Sequence, residues 1–352
     1  MVKNTEVISR QPNNFGALRL FFAFLVIFSH SPEIIDGNNS REFLNQITNG
    51  TMVSGTVGVC GFFLVSGYLI FNSYQHSISL FNYLNKRLLR IFPGFIVAYI
   101  VSILVFSSIS GGWNLVESYL HNWPKNFVKM LLLYQPIVDG VFKENHIHTL
   151  NVSMWTIQIE FLCYLMTPLF AILYLRNKSY YLTLMVLVSF FYLFLLISGI
   201  NFNTGFPFFI QIPLTVRPIT AFIIGGAFYI FKDKLLWNNI SAIISFFMLI
   251  VCLFIPLLAD LGLLYFGGYL VFYFALHFKH SFLNRIGTKN DVSYGVYLFA
   301  WPLQSLMVEF NPQISPWLLS ITTIIFASMT GWISWKLVEK PFIKLKKFYS
   351  KN

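Results

Sequence analysis

Two ionisable residues share one apolar segment near the start of the chain. In "LRLFFAFLVIFSH", His30 follows Arg19 by 11 residues, and most of the positions between them are apolar. On an α-helix, 11 residues make three turns plus about 20°, so both side chains lie on one stripe, about 16 Å apart along the axis. A guanidinium suits the binding of phosphate, and an imidazole suits proton transfer near neutral pH. The pair therefore predicts a site with two chemically different ends.

Glu160 and Arg217 also fall inside apolar segments. An ionisable group at membrane depth costs at least about 2.5–3.5 kcal/mol, so each is a candidate functional residue. Glu160, in "NVSMWTIQIEFLCY", is expected at a depth close to that of His30, where a carboxylate would orient the imidazole. Structural alternatives stay open: Arg19 as a snorkelling anchor, His30 bonded to a backbone carbonyl, and Glu160 paired with Arg217.

The composition is that of an integral membrane protein. The 352 residues are 56% hydrophobic and 11% charged, and the mean hydropathy is +0.66, whereas soluble domains are about 25% charged. A transmembrane helix needs about 20 apolar residues. The sequence therefore predicts an all-α polytopic membrane bundle, a single domain over residues 1–352, with an amphipathic segment at 126–137. The ten predicted spans are 15–32, 52–74, 91–110, 152–175, 180–199, 208–231, 239–257, 261–278, 291–310 and 316–337.

The Lys and Arg residues are distributed unequally between the two faces of this predicted bundle. Of the 24, two (Arg19 and Arg217) lie within spans and 18 lie on the face that carries both termini. The four on the opposite face are Arg41, Lys125, Lys129 and Lys143. This asymmetry predicts that both termini are cytoplasmic. It also accounts for the net charge of +11 without a nucleic-acid partner.

The three cysteines lie inside apolar runs without paired spacing. Such cysteines are typical of buried thiols, so the sequence predicts neither a disulfide framework nor a metal site.

Several motifs, taken in chain order, resemble the membrane acyltransferase 3 family, whose members O-acylate bacterial surface polysaccharides and peptidoglycan. Arg19 and His30 match its Arg-x10-His signature. The other matching stretches are "GVCGFFLVSGYLI" (58–70), "KRLLRIFPGF" (86–95), "WTIQIEFLCY" (155–164), "RPITAFIIGG" (217–226), "VSYGVYLFAWPL" (292–303) and "VEKPF" (338–342). The chain departs from the family pattern at Ala300, where many members carry histidine, and at Cys163, where an aromatic residue is common.

The resemblance implies transfer of an acyl group, most simply acetyl, from cytoplasmic acetyl-CoA. Arg19, Arg87 and Arg90 are then expected to bind the donor, since arginine forks suit phosphate. His30 is expected to act as general base on an acceptor hydroxyl, with Glu160 as its orienting partner. An acyl-histidine relay is the covalent alternative. The expected supporting residues are Trp155, Arg217, Ser66, Tyr294 and Tyr297, of which the last three are candidate oxyanion donors.

The resemblance also implies partners and a location. The expected partners are acyl-CoA, a surface polysaccharide or lipid-linked glycan as acceptor, and membrane lipid, with acetyl-CoA as co-substrate and no permanently bound cofactor. The expected location is the bacterial inner membrane, with multiple spans. A transporter or flippase for a glycan or small solute is the alternative, because intramembrane Arg, His and Glu also line transport paths.

Overall fold

The fold is a bundle of helices, in a computed structural model that describes residues 13–199, 212–278 and 280–349. Within these ranges there is no β-strand. In chain order the α-helices are α1 (Phe15–Asp36), α2 (Phe43–Ile47), α3 (Ser54–Gln75), α4 (Leu80–Val101), α5 (Ser107–Gly111), α6 (Trp113–His121), α7 (Trp123–Leu131), α8 (Trp155–Arg176), α9 (Lys178–Ser198), α10 (Ile212–Ile230), α11 (Asn239–Leu253), α12 (Pro256–Gly262), α13 (Gly268–His277), α14 (Ser293–Phe310), α15 (Pro316–Ser334) and α16 (Lys340–Tyr349).

Three π-helical turns join neighbouring helices into longer rods. Ser102–Phe106 joins α4 to α5, Leu263–Gly267 joins α12 to α13, and Trp335–Glu339 joins α15 to α16. A short 3-10 turn, Val152–Met154, leads into α8. Because the rods are continuous, each of the three joined pairs counts as a single membrane-crossing element.

The prediction of a polytopic helical membrane protein is confirmed. Eight helices in the described ranges are long and apolar enough to cross a membrane. Two further predicted spans also form helices: α11 is shorter, at 15 residues, and α14 is less apolar because it carries Gln304 and Glu309. Most of α14 is buried inside the bundle, which shields its polar groups from lipid. The predicted positions 208–211 lie outside the described residues.

Two of the predicted boundaries that differ from the structure bear on the sites described below. The third span begins at Leu80 rather than 91, because the Ser79 hydroxyl caps α4 by accepting a hydrogen bond from the Asn82 backbone N–H. Arg87 and Arg90 therefore lie on the helix itself. The segment predicted as amphipathic over 126–137 forms α7 only as far as Leu131.

Close backbone contact joins α3 to α10 at the centre of the bundle. A Cβ atom at Gly67 would lie 2.0 Å from the Phe222 carbonyl oxygen, and one at Gly225 would lie 2.1 Å from the Leu64 carbonyl oxygen. Neither position tolerates a side chain without separating the helices. Small residues of this kind let helices pack closely in membranes, where the hydrophobic effect does not drive association.

Residues 141–154, named the inserted segment here, enter the bundle instead of lying over it. Asn145 donates to the Ser305 carbonyl oxygen at 2.9 Å, and Asn151 donates to the Leu298 carbonyl oxygen at 2.8 Å. Trp301 donates to the Thr149 carbonyl oxygen at 2.9 Å. Irregular backbone is tolerated at membrane depth when protein groups satisfy it in this way. As a result, α8 begins inside the bundle, against the middle of α14.

Candidate active site

A cavity lies between α1, α3, α4, α8 and α14. It holds about 800 Å³ of empty space, part of it open to solvent. Apolar side chains of α3 form much of its wall. Seven of the ten predicted site residues line it: Arg19, Ser66, Arg87, Arg90, Glu160, Tyr294 and Tyr297. Residues from five helices thus converge on one space, named the arginine cavity here.

Two of its arginines are held by carboxylates that come from distant parts of the chain. Asp291 Oδ2 lies 3.0 Å from an Arg19 terminal nitrogen and 2.7 Å from one of Arg90. Arg90 also lies 3.4 Å from Glu339, a buried residue of the π-helical turn after α15. The bridging carboxylate fixes α1 against α4 and orients both guanidinium groups at the cavity.

Arg87 has no carboxylate partner among the described residues. Its guanidinium donates to the Ser73 hydroxyl at 3.2 Å and lies over the rings of Tyr83 and Tyr164, 5.9 and 5.8 Å from their centroids. The Nε atoms of Arg87 and Arg19 are buried and have no hydrogen-bond partner in the described structure. Arg87 therefore forms no direct ion pair within the described residues, although the Glu160 carboxylate lines the same cavity, and its guanidinium suits an anionic ligand.

Glu160 lies in the arginine cavity and not beside His30. Its Oε1 accepts hydrogen bonds from the Ser66 hydroxyl at 2.7 Å and from the Tyr164 hydroxyl at 2.5 Å. The expected pairing of Glu160 with His30 is wrong, because the inserted segment displaces the start of α8 into the bundle. The alternative pairing with Arg217 is also wrong, since Arg217 bonds elsewhere.

His30 has a different carboxylate partner, from its own helix. Its Nδ1 lies 2.8 Å from Glu33 Oε2, and its ring meets that of Trp301 edge-on, with 4.7 Å between the centroids. His30 is not among the residues that line the arginine cavity. The role predicted for Glu160, orienting the imidazole, is filled structurally by Glu33 three residues further along α1.

The separation of Arg19 and His30 along the axis of α1 agrees with the value that their spacing in the sequence predicts. Arg19 contacts Asp291, just before α14, and His30 contacts Trp301 on α14. These ten residues correspond to about 15 Å of rise, close to the value expected along α1. Tyr297, one turn before Trp301, lines the cavity. The cavity therefore ends about one helical turn from His30.

An aromatic pair lies at that end of the cavity. The rings of Phe62 and Tyr297 meet edge-on with 5.5 Å between centroids. Phe62 also packs against the small apolar cluster that contains Ile27 and Ala300. Ala300, at the departure from the family pattern, is thus a buried packing residue.

The candidate oxyanion donors already donate within the protein or share a hydrogen bond. Ser66 donates to Glu160, and Tyr294 donates to the Ile91 carbonyl oxygen at 3.0 Å. Tyr297 shares a 2.8 Å hydrogen bond with Thr156. Any of them would have to exchange its present partner to stabilise an oxyanion. Trp155, the remaining supporting candidate, packs half-buried against the main core.

Arg217 belongs to a separate cluster. It lies 3.6 Å from Asp260 on α12, and Tyr192 on α9 donates to the other Asp260 oxygen at 2.5 Å. The cluster joins three helices, and none of its members lines the arginine cavity. Its geometry is that of a structural ion pair.

Five residues of these sites escaped the sequence analysis: Glu33, Tyr164, Asp291, Trp301 and Glu339. Glu33 is three residues from His30, a spacing that places both on one helix face, and this signal was present in the sequence. Asp291 and Glu339 gave no such signal, because their arginine partners are up to 272 residues away. Only the packing of α1, α4 and the segments around α14 brings them together.

Comparison with known proteins adds a family and two relatives. The acyltransferase domain of the acyltransferase 3 family matches residues 13–336. An O-acetyl transferase of Shigella phage Sf6 is 29% identical over 350 residues, which cover 94% of this chain and 96% of the relative. Nodulation protein 10 of Rhizobium leguminosarum bv. viciae is 25% identical over 381 residues, covering 98% and 97%. No solved structure matches the chain significantly.

Proposed function

Because the chain belongs to the acyltransferase 3 family and is a membrane O-acyltransferase, we propose that it moves an acetyl group from cytoplasmic acetyl-CoA to a hydroxyl of a surface polysaccharide or lipid-linked glycan. One observation carries the proposal: Arg19, Arg87 and Arg90 converge on a single cavity inside a membrane bundle. Guanidinium forks gathered at one cavity suit a ligand that carries phosphate groups.

The donor carries anionic groups that suit the arginines of this cavity. Coenzyme A carries a pyrophosphate and a 3′-phosphate, and arginine forks bond two phosphate oxygens at once. Arg87 is the strongest candidate for this contact, since no carboxylate competes for its guanidinium among the described residues. Arg19 and Arg90, held by Asp291, present further N–H donors to the same cavity.

The acceptor end of the reaction is assigned to His30. In the proposed step, His30 takes the proton of an acceptor hydroxyl, the oxygen forms an ester bond with the thioester carbonyl carbon, and the carbon–sulfur bond breaks. The CoA thiolate then accepts the proton that His30 carries. General base catalysis of this kind contributes typically about 10²–10⁴-fold. Glu33 stabilises the protonated imidazole. Transfer of the acetyl group first to His30 is the covalent variant.

The thioester of acetyl-CoA must reach His30 past the Phe62–Tyr297 pair, which lies between the arginine cavity and the imidazole. The pantetheine arm extends from the arginine cavity toward His30, a path of about one helical turn beyond Tyr297. Displacement of the Phe62 ring opens that path. The acceptor would arrive from the external face, which the distribution of Lys and Arg assigns to the side of His30. In a bacterium, an enzyme that takes its acetyl-CoA from the cytoplasm would lie in the inner membrane.

The test is His30→Ala, with His280→Ala as the matched histidine control in an exposed loop. We expect the first variant to lose at least about 100-fold in acetyl transfer and the second to keep wild-type activity. Transfer is measured with labelled acetyl-CoA and purified protein in nanodiscs, and glycan O-acetylation is measured by NMR. Normal acetylation by His30→Ala, at equal membrane abundance, would overturn its role.

The donor site is tested with Arg19→Lys. The substitution keeps the charge and removes the planar fork, so we expect a higher KM for acetyl-CoA. An unchanged dependence of the rate on acetyl-CoA would remove Arg19 from the donor site. Failure of the purified wild-type protein to transfer any labelled acetyl group would favour the transporter alternative instead.

A further inference from the structure

A second polar cleft lies outside the arginine cavity, on the hairpin of α6 and α7. It holds about 730 Å³ of empty space, part of it open to solvent. Hydrogen-bonding side chains dominate its lining, among them Ser118, Asn122 and Asn126. Hydroxyl and amide groups in a shallow, open cleft suit the hydroxyl groups of a sugar. The proposed acyltransferase reaction assigns no role to this cleft.

The cleft carries positive charge. Lys125 and Lys129 both line it and are four residues apart, which places them on the same face of α7. Neither lysine forms an ion pair within the described ranges, and Asp139 is the one acidic residue in the lining. Burial and the hydrogen bond with Tyr99 raise the pKa of Tyr119 well above its usual range, so this phenol adds no negative charge. The lysines therefore favour an anionic ligand.

The opposite face of α7 indicates where the cleft lies. Trp123, Phe127 and Leu131 are exposed there, with 59%, 46% and 44% of their surface accessible. A helix with one apolar and one basic face lies at the membrane–water interface. The apolar face then rests in lipid while the lysines face the cleft at the level of the head groups. A glycan carried on a lipid, or threaded along the membrane surface, passes at this level.

Hydrogen bonds attach the hairpin to helices of the arginine cavity. Tyr119 bonds the hydroxyl of Tyr99 on α4, and Asn126 donates to the Tyr119 carbonyl oxygen at 2.9 Å. Gln158 on α8 donates to the Leu132 carbonyl oxygen at 2.8 Å, two residues before Glu160. The cleft thus has a fixed position relative to α4 and α8, which supply Arg87, Arg90 and Glu160 to the cavity.

The geometry points to an acceptor subsite in which Lys125 and Lys129 bind an anionic sugar of the glycan, a uronate or a phosphate-substituted residue. The neighbouring amides and Ser118 bond its hydroxyl groups. The subsite holds the chain at the external surface while another hydroxyl of the same glycan reaches His30. This inference rests on the proposed function, since it names the chemical class of the acceptor.

The test uses purified protein in nanodiscs of zwitterionic lipid, with tetragalacturonate as the anionic probe and maltotetraose as the neutral one. We expect calorimetry without acetyl-CoA to show at least about tenfold tighter binding of the anionic probe. The double variant Lys125→Gln/Lys129→Gln should lose this preference, whereas Lys143→Gln, a matched exposed lysine on the same predicted face, should keep it. Lys125 is exposed and Lys129 is half-buried at the cleft, and neither belongs to the buried core, so the substitutions leave the core intact.

Three results would overturn the inference: equal binding of the two probes by the wild type, retained preference in the double variant, or loss of the preference when the nanodiscs contain phosphatidylglycerol. The last result would identify the cleft as a site for lipid head groups. Release of CoA from acetyl-CoA is measured in parallel. If the protein turns over acetyl-CoA but does not bind the anionic probe, the subsite is ruled out and the proposed function stands. If it binds the probe but does not turn over acetyl-CoA, the proposed function is contradicted and the cleft stays a glycan-binding site.

Discussion

Two clusters of arginine lie within the membrane bundle, and they differ in how their charges are satisfied. In the arginine cavity, Arg19 and Arg90 share Asp291, while Arg87 has no acidic partner in the described chain. The second cluster matches one arginine, Arg217, with one acid, Asp260. The first cluster opens onto empty space of about 800 Å³, and its basic residues have unused donors.

The difference shows that depth in the membrane does not by itself identify a functional charge. Both clusters contain buried charged groups, but among the described residues only the first has an arginine that lines a cavity without an ion-pair partner. An arginine that is paired with one carboxylate, away from the cavity, stabilises the packing of helices. An arginine without one keeps its capacity to bind an anion. Variants of the two clusters should therefore fail in opposite ways.

The largest effect is expected from Arg217→Leu, and it should fall on stability. The substitution leaves Asp260 as a buried carboxylate without its cation, which costs about 3–5 kcal/mol. We expect a lower thermal midpoint and a lower yield in detergent, with activity per folded molecule unchanged. The double variant Arg217→Leu/Asp260→Leu should recover most of the lost stability. A stable but inactive Arg217→Leu protein would erase the distinction between the clusters.

The next effect is expected from Arg87→Ala, and it should fall on the donor. Loss of a charge-assisted contact to phosphate costs about 1.5–3 kcal/mol, which raises the KM for acetyl-CoA about 10–100-fold. The thermal midpoint should stay unchanged, because no acid in the described structure loses a partner. Lys86→Ala, on the same helix but outside the cavity, is the control. An unstable Arg87→Ala protein with a normal KM would contradict the comparison.

Asp291→Asn should combine both types of effect in milder form. The carboxylate between Arg19 and Arg90 holds the two guanidinium groups in place, and the amide keeps its shape without its charge. We expect a fall of about 1–2 kcal/mol in the free energy of unfolding and a KM for acetyl-CoA that rises several-fold. Urea titration and steady-state kinetics measure the two. If only stability falls, Asp291 does not position the donor arginines.

The smallest effect is expected from Glu33→Gln. Glu33 is partly exposed, at 29% of its side-chain surface, and such pairs contribute about 0.2–1 kcal/mol. We expect kcat to fall up to about fivefold, with the KM for acetyl-CoA and the thermal midpoint unchanged. Glu309→Gln, at the end of α14, serves as a carboxylate control away from His30. A change in KM alone would place Glu33 in the donor site.

Local sequence patterns were sufficient for much of this molecule. Composition and hydropathy predict the membrane bundle, because apolar length depends only on consecutive residues. Helical periodicity places Arg19 and His30 on one stripe, and the structure agrees, since both contact α14 or the residue leading into it. The same reasoning assigned Arg87 and Arg90 to one helix surface, and both line the cavity.

Only the tertiary structure decided which charges meet. A segment that starts at the membrane surface predicts Glu160 beside His30. The inserted segment instead enters the bundle, where Asn151 and Thr149 bond α14, and so sets the depth of α8. These bonds join residues about 150 positions apart in the chain. Periodicity describes one helix at a time, so the depth of a neighbouring helix, and therefore the partner of a buried charge, follows from packing alone.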